Sequence, residues 1–519
     1  MTVSRAGERF RTADRRGPRL AAGVLAVAAA KLVLHLLFIS RYGVFRDELY
    51  YLDCARHLAW GYVDQPPLIA FVARLALSFG DALWIIRLPA VLAGAALVVL
   101  TGMLARELGG GRFAQFLAAL AVLTAPAYLL FFHILTMNAF EALFWVGAAF
   151  LVARFLNTRS QRLWIGFGVL AGVGLLNKHS MLFMGFSLIA GLLLAGEWRV
   201  LRSKWIWLGG GLALLIFLPH LVWQVQHHFP QLDMLQQTRA GRDIHPSPFG
   251  FLKDQILAMN PLGALVWIGG LAAMLAGRGL RRYRALGWAY LVLLIFFIAL
   301  GAKVYYLYPV YGMLFAAGGV AWERWTESRL RALRWVLPCA LVLLGGVIAP
   351  VTFPVLPKER YAAYTQALGI EQPHMERGRD AGRLPQIFAD MHGWDTMAAQ
   401  VAEVFRTLSP QDQAKACIFG QNYGEAGAIN YFGPHLGLPK AISNHNSYWL
   451  WGPQGCTGEV LVVIGGGEDD NRRNCRVLER AGVVHNDWAR LDENDLPIYI
   501  CRGLSKPIEA LWPLIRKLG

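Results

Sequence analysis

The chain has 519 residues, of which 56% are hydrophobic, a mean hydropathy of +0.40 and a formal net charge of +16 at neutral pH. Such a composition excludes an ordinary soluble globular protein and points to a polytopic membrane protein. The basic residues gather in short connections between apolar runs, a membrane-topology pattern, so the charge gives no ground for a nucleic-acid partner.

Residues 1–19 carry Arg5, Arg9, Arg11, Arg15, Arg16 and Arg19 ahead of a first apolar run near 20–40. No small-residue cleavage site follows that run, so it reads as a retained span. Further runs lie near 82–105, 113–132, 138–156, 162–178, 180–197, 205–224, 256–277, 285–301, 305–322 and 335–354. Together they predict about eleven spans of roughly 17–25 residues. One set of connections holds Arg106 and Arg112; Arg154, Arg159 and Arg162; Arg199, Arg202 and Lys204; Arg278, Arg281, Arg282 and Arg284; and Arg324, Arg329, Arg331 and Arg334. The positive-inside rule places this set in the cytoplasm with the N-terminal segment. The opposite set is 41–80, the His133 turn, Lys178-His179, 225–255 and the Lys303 turn, facing outward. An odd number of spans puts the C-terminal region outside as well.

The connection over residues 42–68, YGVFRDELYYLDCARHLAWGYVDQPPL, is the most distinctive stretch. It sets the acidic pair Asp47-Glu48 between Arg46 and the aromatics Tyr50 and Tyr51, and it ends in Asp64-Gln65-Pro66-Pro67. Tyr50, Cys54, His57 and Leu58 fall on helical spacing. An amphipathic helix lying in the membrane interface fits this spacing. So does a functional loop, because ionisable groups near the interface are costly unless they face water, a partner or a substrate.

Past Pro354 the composition changes, and residues 355–519 contain no spanning run. Short β-rich pieces at Ala416–Phe419, Lys440–Ser443, Val460–Ile464 and Pro497–Cys501 alternate with helical patterns such as Thr396–Leu408 and Asn474–Ala481. This alternation predicts a small α/β domain. Four of the six cysteines (Cys417, Cys456, Cys475 and Cys501) lie there, where disulfides form if the region is exported. Gly465-Gly466-Gly467 lacks the spacing of a phosphate-binding turn and precedes the acidic run Glu468-Asp469-Asp470, so it reads as a plain turn. No internal repeat is seen.

The order FRDELYY, WGYVDQPPL, a membrane pair ending in LLNKHS, then KVYYLYPVYGMLFAAGG resembles glycosyltransferase family 39, over residues 20–330. This GT-C group includes protein O-mannosyltransferases and lipid A aminoarabinose transferases. The resemblance implies an α-helical polytopic membrane protein of GT-C type: a cytoplasmic segment 1–19, a transmembrane catalytic domain 20–354 and an exported α/β domain 355–519. It also implies an enzyme of the cytoplasmic (inner) membrane with its site on the outer face. A sugar would pass from a polyprenyl-phosphate carrier to a hydroxyl or phosphate acceptor on a lipid, polysaccharide or protein.

An inverting transfer needs a base for the acceptor proton and cations to hold the departing phosphate. By resemblance Asp47 is the base and Glu48 orients it or the acceptor. If the two share a poorly solvated cleft, repulsion raises one carboxyl towards neutrality. The pair equally fits a helix N-terminus, where the macrodipole favours acids. Arg46, Lys178 and Lys303 are the candidate phosphate-binding cations; Arg46 is also placed to pair with its acidic neighbours, and the lysines to snorkel from span ends. Tyr305 and Tyr306, beside Lys303, suit contact with carrier or sugar, and equally an aromatic belt. Tyr50, Tyr51 and Gln65 complete the expected substrate contacts, with Gln65 standing where some relatives have lysine.

No cofactor is required by the sequence, although Asp64 and His228, with His227 and His245 nearby, form a candidate divalent-metal pair. Relatives often carry an acidic residue before the fourth span. Here Asn138 takes that position and Glu141 lies one helical turn on, so either Glu141 substitutes or Asn138 only positions. In the tail, residues 421–425 (QNYGE) and 443–449 (SNHNSYW) combine amides with aromatics, which suits sugar binding or ordinary loops alike. Two other classes compete with a transferase. A lipid flippase would show paired broken helices and a repeat between halves. A receptor-like binding protein would work through its exported tail alone.

Overall fold

The structure, a computed structural model, describes residues 20–241, 246–328, 331–370 and 382–519. The basic segment 1–19, His245 and Arg329 lie outside the described residues. Each of the predicted apolar runs falls on helix. Among the described residues six helices are long and apolar enough to cross a membrane: Leu83–Glu107, Met137–Thr158, Lys204–Gln226, Arg281–Ala299, Val304–Glu327 and Leu333–Thr352. The pair Pro248–Ala258 and Gly263–Leu275, bent by 112°, makes up to one more. The remaining runs are shorter apolar helices, Ala22–Phe38, Arg112–Thr124, Leu163–Asn177 and Met181–Leu194.

The two sets of connections lie at opposite ends of the bundle. At one end Glu107 accepts from Arg154 and Asn157, Tyr283 reaches Asn157, Arg284 caps the Ala195 carbonyl, and Glu323 accepts from the N–H groups of Gly111, Phe113 and Ala114. At the other end the loops 41–81, 133–136, 178–180 and 227–233 gather beneath the soluble region, which touches them through Tyr431 on Asp81 and Arg516 on Asp233.

The soluble region is built on one five-stranded sheet: β1 Ala416–Gly420, β2 Ala441–Ser443, β3 Val460–Ile464, β4 Cys475–Val484 and β5 Leu496–Leu504. Its order is β2-β1-β3-β5-β4, with β1 parallel to β2 and β3, and β5 antiparallel to β3 and β4. Val460–Ile464 is buried at every position, as a central strand requires. β4 corrects the expected helix at Asn474–Ala481. It is an edge strand whose Arg476, Glu479 and Arg480 face solvent, and charge on an edge blurs the strand alternation in sequence. The glycines after β3 form the expected turn, with Gly465 and Gly466 at φ +67° and +80°. The four tail cysteines pair as Cys417–Cys456 and Cys475–Cys501, the second tying the edge strand to β5.

The stretch Arg46–Arg56 is a helix, but it does not lie in an interface with one wet face. Nine of its eleven residues are buried, because membrane helices press on one side and the helix Tyr423–Phe432 on the other. Gly427 permits that approach: a Cβ there would lie 2.8 Å from the Leu49 Cβ. Burying so polar a helix requires every charge to find a partner. Glu48 meets the fully buried Arg87 of Leu83–Glu107, with Arg87 Nε at 2.9 Å from Oε1 and Nη2 at 2.9 Å from Oε2. Glu48 also accepts from the Leu135 N–H at 2.7 Å and the Phe45 N–H at 2.8 Å. Arg87 further donates to the carbonyls of Ile39 and Gly43. On the other face Asp53 accepts from Tyr448, Asn430 and Arg56, and Arg46 pairs with Glu493.

This packing gives two tests. Arg87→Ala strands the Glu48 charge in the interior and is expected to cost on the order of 3–5 kcal/mol. The check is the melting temperature in detergent, and a melt like wild type would mean that the pair does not hold the helix. Non-reducing peptide mapping is expected to recover the Cys417–Cys456 and Cys475–Cys501 crosslinks, with Cys54 and Cys339 as free thiols.

Candidate active site

Asp47 and Glu48 are neighbours in sequence with separate environments. Glu48 turns into the membrane bundle, where Arg87 and two backbone N–H groups occupy it, so the helix-cap reading holds for it through its bond to the Phe45 N–H. Asp47 turns towards the soluble region, where the Tyr423 hydroxyl donates to its Oδ1 at 2.9 Å.

Arg46 does not stand as a free cation. It is buried, lies 3.5 Å from Glu493 Oε1, and its guanidinium sits 4.8 Å above the Tyr423 ring. Buried between Glu493 and the Tyr423 ring, Arg46 joins the first loop to the soluble region. Gln65 is buried likewise. The Pro66-Pro67 turn holds it inside, 1% exposed, with its Nε2 3.6 Å from Cys54 Sγ.

Asp64 is half-buried and accepts from the Tyr50 hydroxyl at 2.9 Å, with Asn446 Nδ2 at 3.5 Å. Burial, with the charge of Asp47 adding to it, pushes its carboxyl up to about 7, against the opposing hydrogen bonds of Tyr50 and Asn446. Asp64 thus carries a raised carboxyl in this loop, with Asp47 as an acidic neighbour. Tyr50 also meets Ser447 Oγ at 2.7 Å, and Tyr51 packs beside it within electrostatic reach of Asp47 and Asp64.

Lys178 follows the helix Leu163–Asn177 and projects onto the start of Met137–Thr158. Its Nζ lies 2.7 Å from both Asn138 Oδ1 and Glu141 Oε2, and 5.4 and 5.2 Å from the ring centres of Tyr305 and Tyr306. Asn138 and Glu141 therefore act on the same cation, and Ser180 donates to the other oxygen of Glu141. Lys303 stands at the start of Val304–Val310, next to those tyrosines. Tyr305 and Tyr306 thus line the Lys178 ammonium together with Asn138 and Glu141.

His228 follows the helix Lys204–Gln226 at φ +59°, and among the described residues no group of three or more His, Cys, Asp or Glu side chains is arranged to hold an ion. The histidines that reach the Asp64 loop are His179 and His220, whose Nε2 atoms are 3.0 Å apart; Gln231 links His179 to the Asp64 carbonyl.

Two structural contributors escaped the sequence reading. Arg87 carried a usable signal, an ionisable residue inside an apolar run, which marks a functional or buried-pair position. Tyr423 stood in an aromatic–amide stretch with nothing to show which carboxylate it meets.

Residues 64–223 match the family model described as dolichyl-phosphate-mannose-protein mannosyltransferase. No curated protein matches the chain. In fold the chain resembles the crystal structure of ArnT from Cupriavidus metallidurans bound to undecaprenyl phosphate. The TM-score is 0.61 at 16% identity, over 92% of this chain and 98% of that one. The apo state of the same protein gives 0.60 at 16%, over 92% and 97%. The chain is a polytopic membrane protein with the GT-C fold of the ArnT structures, and residues 64–223 carry its likeness in sequence to the mannosyltransferase family model.

Proposed function

We propose that this protein is a membrane glycosyltransferase that moves a sugar from a polyprenyl-phosphate carrier to a lipid, polysaccharide or protein acceptor. The observation that best supports the reading is the Lys178 ammonium, held by Asn138 and Glu141 and lying 5.4 and 5.2 Å from the ring centres of Tyr305 and Tyr306, at the same end of the bundle as the Asp47 loop. The ArnT structure with undecaprenyl phosphate, similar in fold, makes a polyprenyl phosphate the natural carrier.

In this reading Asp47 takes the proton of the acceptor hydroxyl. The acceptor oxygen forms its bond to the anomeric carbon while the bond from that carbon to the phosphate oxygen breaks. The electron pair leaves on the polyprenyl phosphate, inverting the sugar. Lys178 gives two N–H groups to Asn138 and Glu141, and directs its third at a phosphate oxygen. Lys303 adds positive charge beside Tyr305 and Tyr306, whose hydroxyls and ring faces hold the carrier phosphate or sugar. Glu48 positions Asp47 through the helix both share. Residues 20–354 form the catalytic unit. In this reading residues 355–519 lie outside the cytoplasm and the site faces the outer side of the inner membrane, which the two disulfides of that region support.

The test is label transfer from a panel of polyprenyl-phosphate sugars in membranes, wild type beside Asp47→Asn. Wild type is expected to form glycoside, and Asp47→Asn to lose about 10²–10⁴-fold in rate while inserting normally. Equal product from both removes Asp47 as the base. Lipid translocation by wild type without any glycoside establishes a flippase instead. Lys178→Met is expected to slow transfer by about a hundredfold or more, as loss of a charged transition-state donor does. An unchanged rate there would take Lys178 out of phosphate binding.

A further inference from the structure

We infer that Tyr423, from the soluble region, is a positioning residue of the transfer reaction: its hydroxyl fixes the carboxylate of Asp47, so the site is complete only with the soluble region docked. This rests on the reading of Asp47 as base and adds to it a contribution from the soluble region, outside both residues 64–223 and the 20–330 stretch that carries the sequence resemblance.

The geometry leaves the Tyr423 ring little freedom. It lies 4.9 Å from the Tyr50 ring, stacks on His445 at 5.0 Å and 18°, and carries the Arg46 guanidinium at 4.8 Å. Its backbone is fixed as well. Tyr423 begins a helix capped by Asn422, whose Oδ1 accepts from the Gly424 and Glu425 N–H groups, and its own N–H donates to His445 Nδ1 at 3.2 Å. Gly424 lets that helix start lie against Arg46, since a Cβ there would come within 3.0 Å of the Arg46 side chain. A ring held this way aims its hydroxyl in one direction, at Asp47 Oδ1, 2.9 Å away.

A phenol that donates to a carboxylate does two things. It selects one rotamer of the acid, and it favours the ionised form, which is the form a base needs. Groups that act on Asp47 include Arg46 and Tyr51 on its own helix, Asp64 on the loop, Tyr305 from the membrane bundle and Tyr423. Arg46 is shared with Glu493, and Asp64 opposes ionisation of Asp47. The Tyr423 hydroxyl therefore counters Asp64 at a short, directed contact.

The experiment uses the full-length chain in membranes and compares Tyr423→Phe with wild type across pH. Phenylalanine keeps the ring contacts, and the melting temperature checks that it does. The expected result is a fall in kcat of about tenfold to a hundredfold with KM for the carrier-linked sugar unchanged. The acid limb of the kcat–pH profile is expected to move up by about one pH unit, because the ionised carboxylate has lost a donor. Placing 3-fluorotyrosine at 423, a stronger donor, is expected to move the same limb down. An unchanged kcat overturns the inference. So does a lower kcat with an unmoved pH profile in both variants, which would mark Tyr423 as packing alone. The two readings fail separately: full activity in Asp47→Asn removes the base, whereas an inactive Asp47→Asn beside a normal Tyr423→Phe removes only Tyr423.

Discussion

The buried pair of Glu48 and Arg87 is the constraint on which the site depends. Neither group is exposed, and each is held by more than its partner: two backbone N–H groups on Glu48, three backbone carbonyls on Arg87. Those backbone groups come from the end of the first helix, the Asp47 loop and the 133–136 turn. One ion pair thus ties the end of the first helix and two connections at the same end of the bundle. A hydrophobic pair of similar volume could fill the space, yet it would leave those N–H and C=O groups without partners.

Because of that pair, a polar helix can be buried on nearly all sides. Membrane helices take its Glu48 face and the soluble region takes Arg46 and Asp53. Asp47 lies between these anchored faces and presents its carboxylate to Tyr423. The soluble region is therefore no appendage. It supplies the partners that make the burial of Arg46–Arg56 tolerable, and its glycines at 424 and 427 set how closely it docks.

Much of this was legible in the sequence and some was not, for physical reasons. Apolar runs of about 20 residues declare themselves because lipid demands them, and every run read from the sequence is helix here. The central strand Val460–Ile464 was equally plain, since burial on both faces leaves an unbroken apolar run. The edge strand Cys475–Val484 was not, because its charges follow solvent rather than strand period. At the site, residue types were readable and partners were not. Arg46 looked like a phosphate ligand, and nothing in the sequence showed that it meets Glu493, far along the chain in the soluble region. Asn138 and Glu141 looked like alternatives for one role, and both turn out to hold Lys178, because positions one helical turn apart face the same way.

The arrangement also bears on the choice between a transferase and a flippase. Alternating access needs one half of a bundle to rock against the other around a midplane site, commonly through repeated, broken helices. Here the ionisable groups of the site sit at one end of the bundle, and the helix that carries Asp47 is clamped from both sides by hydrogen-bonded charges. A clamped element is poorly suited to rocking. It suits catalysis, in which a base and a cation must hold their places while charge moves from an acceptor hydroxyl to a departing phosphate, and rigidity in the supporting shell keeps the reorganisation small.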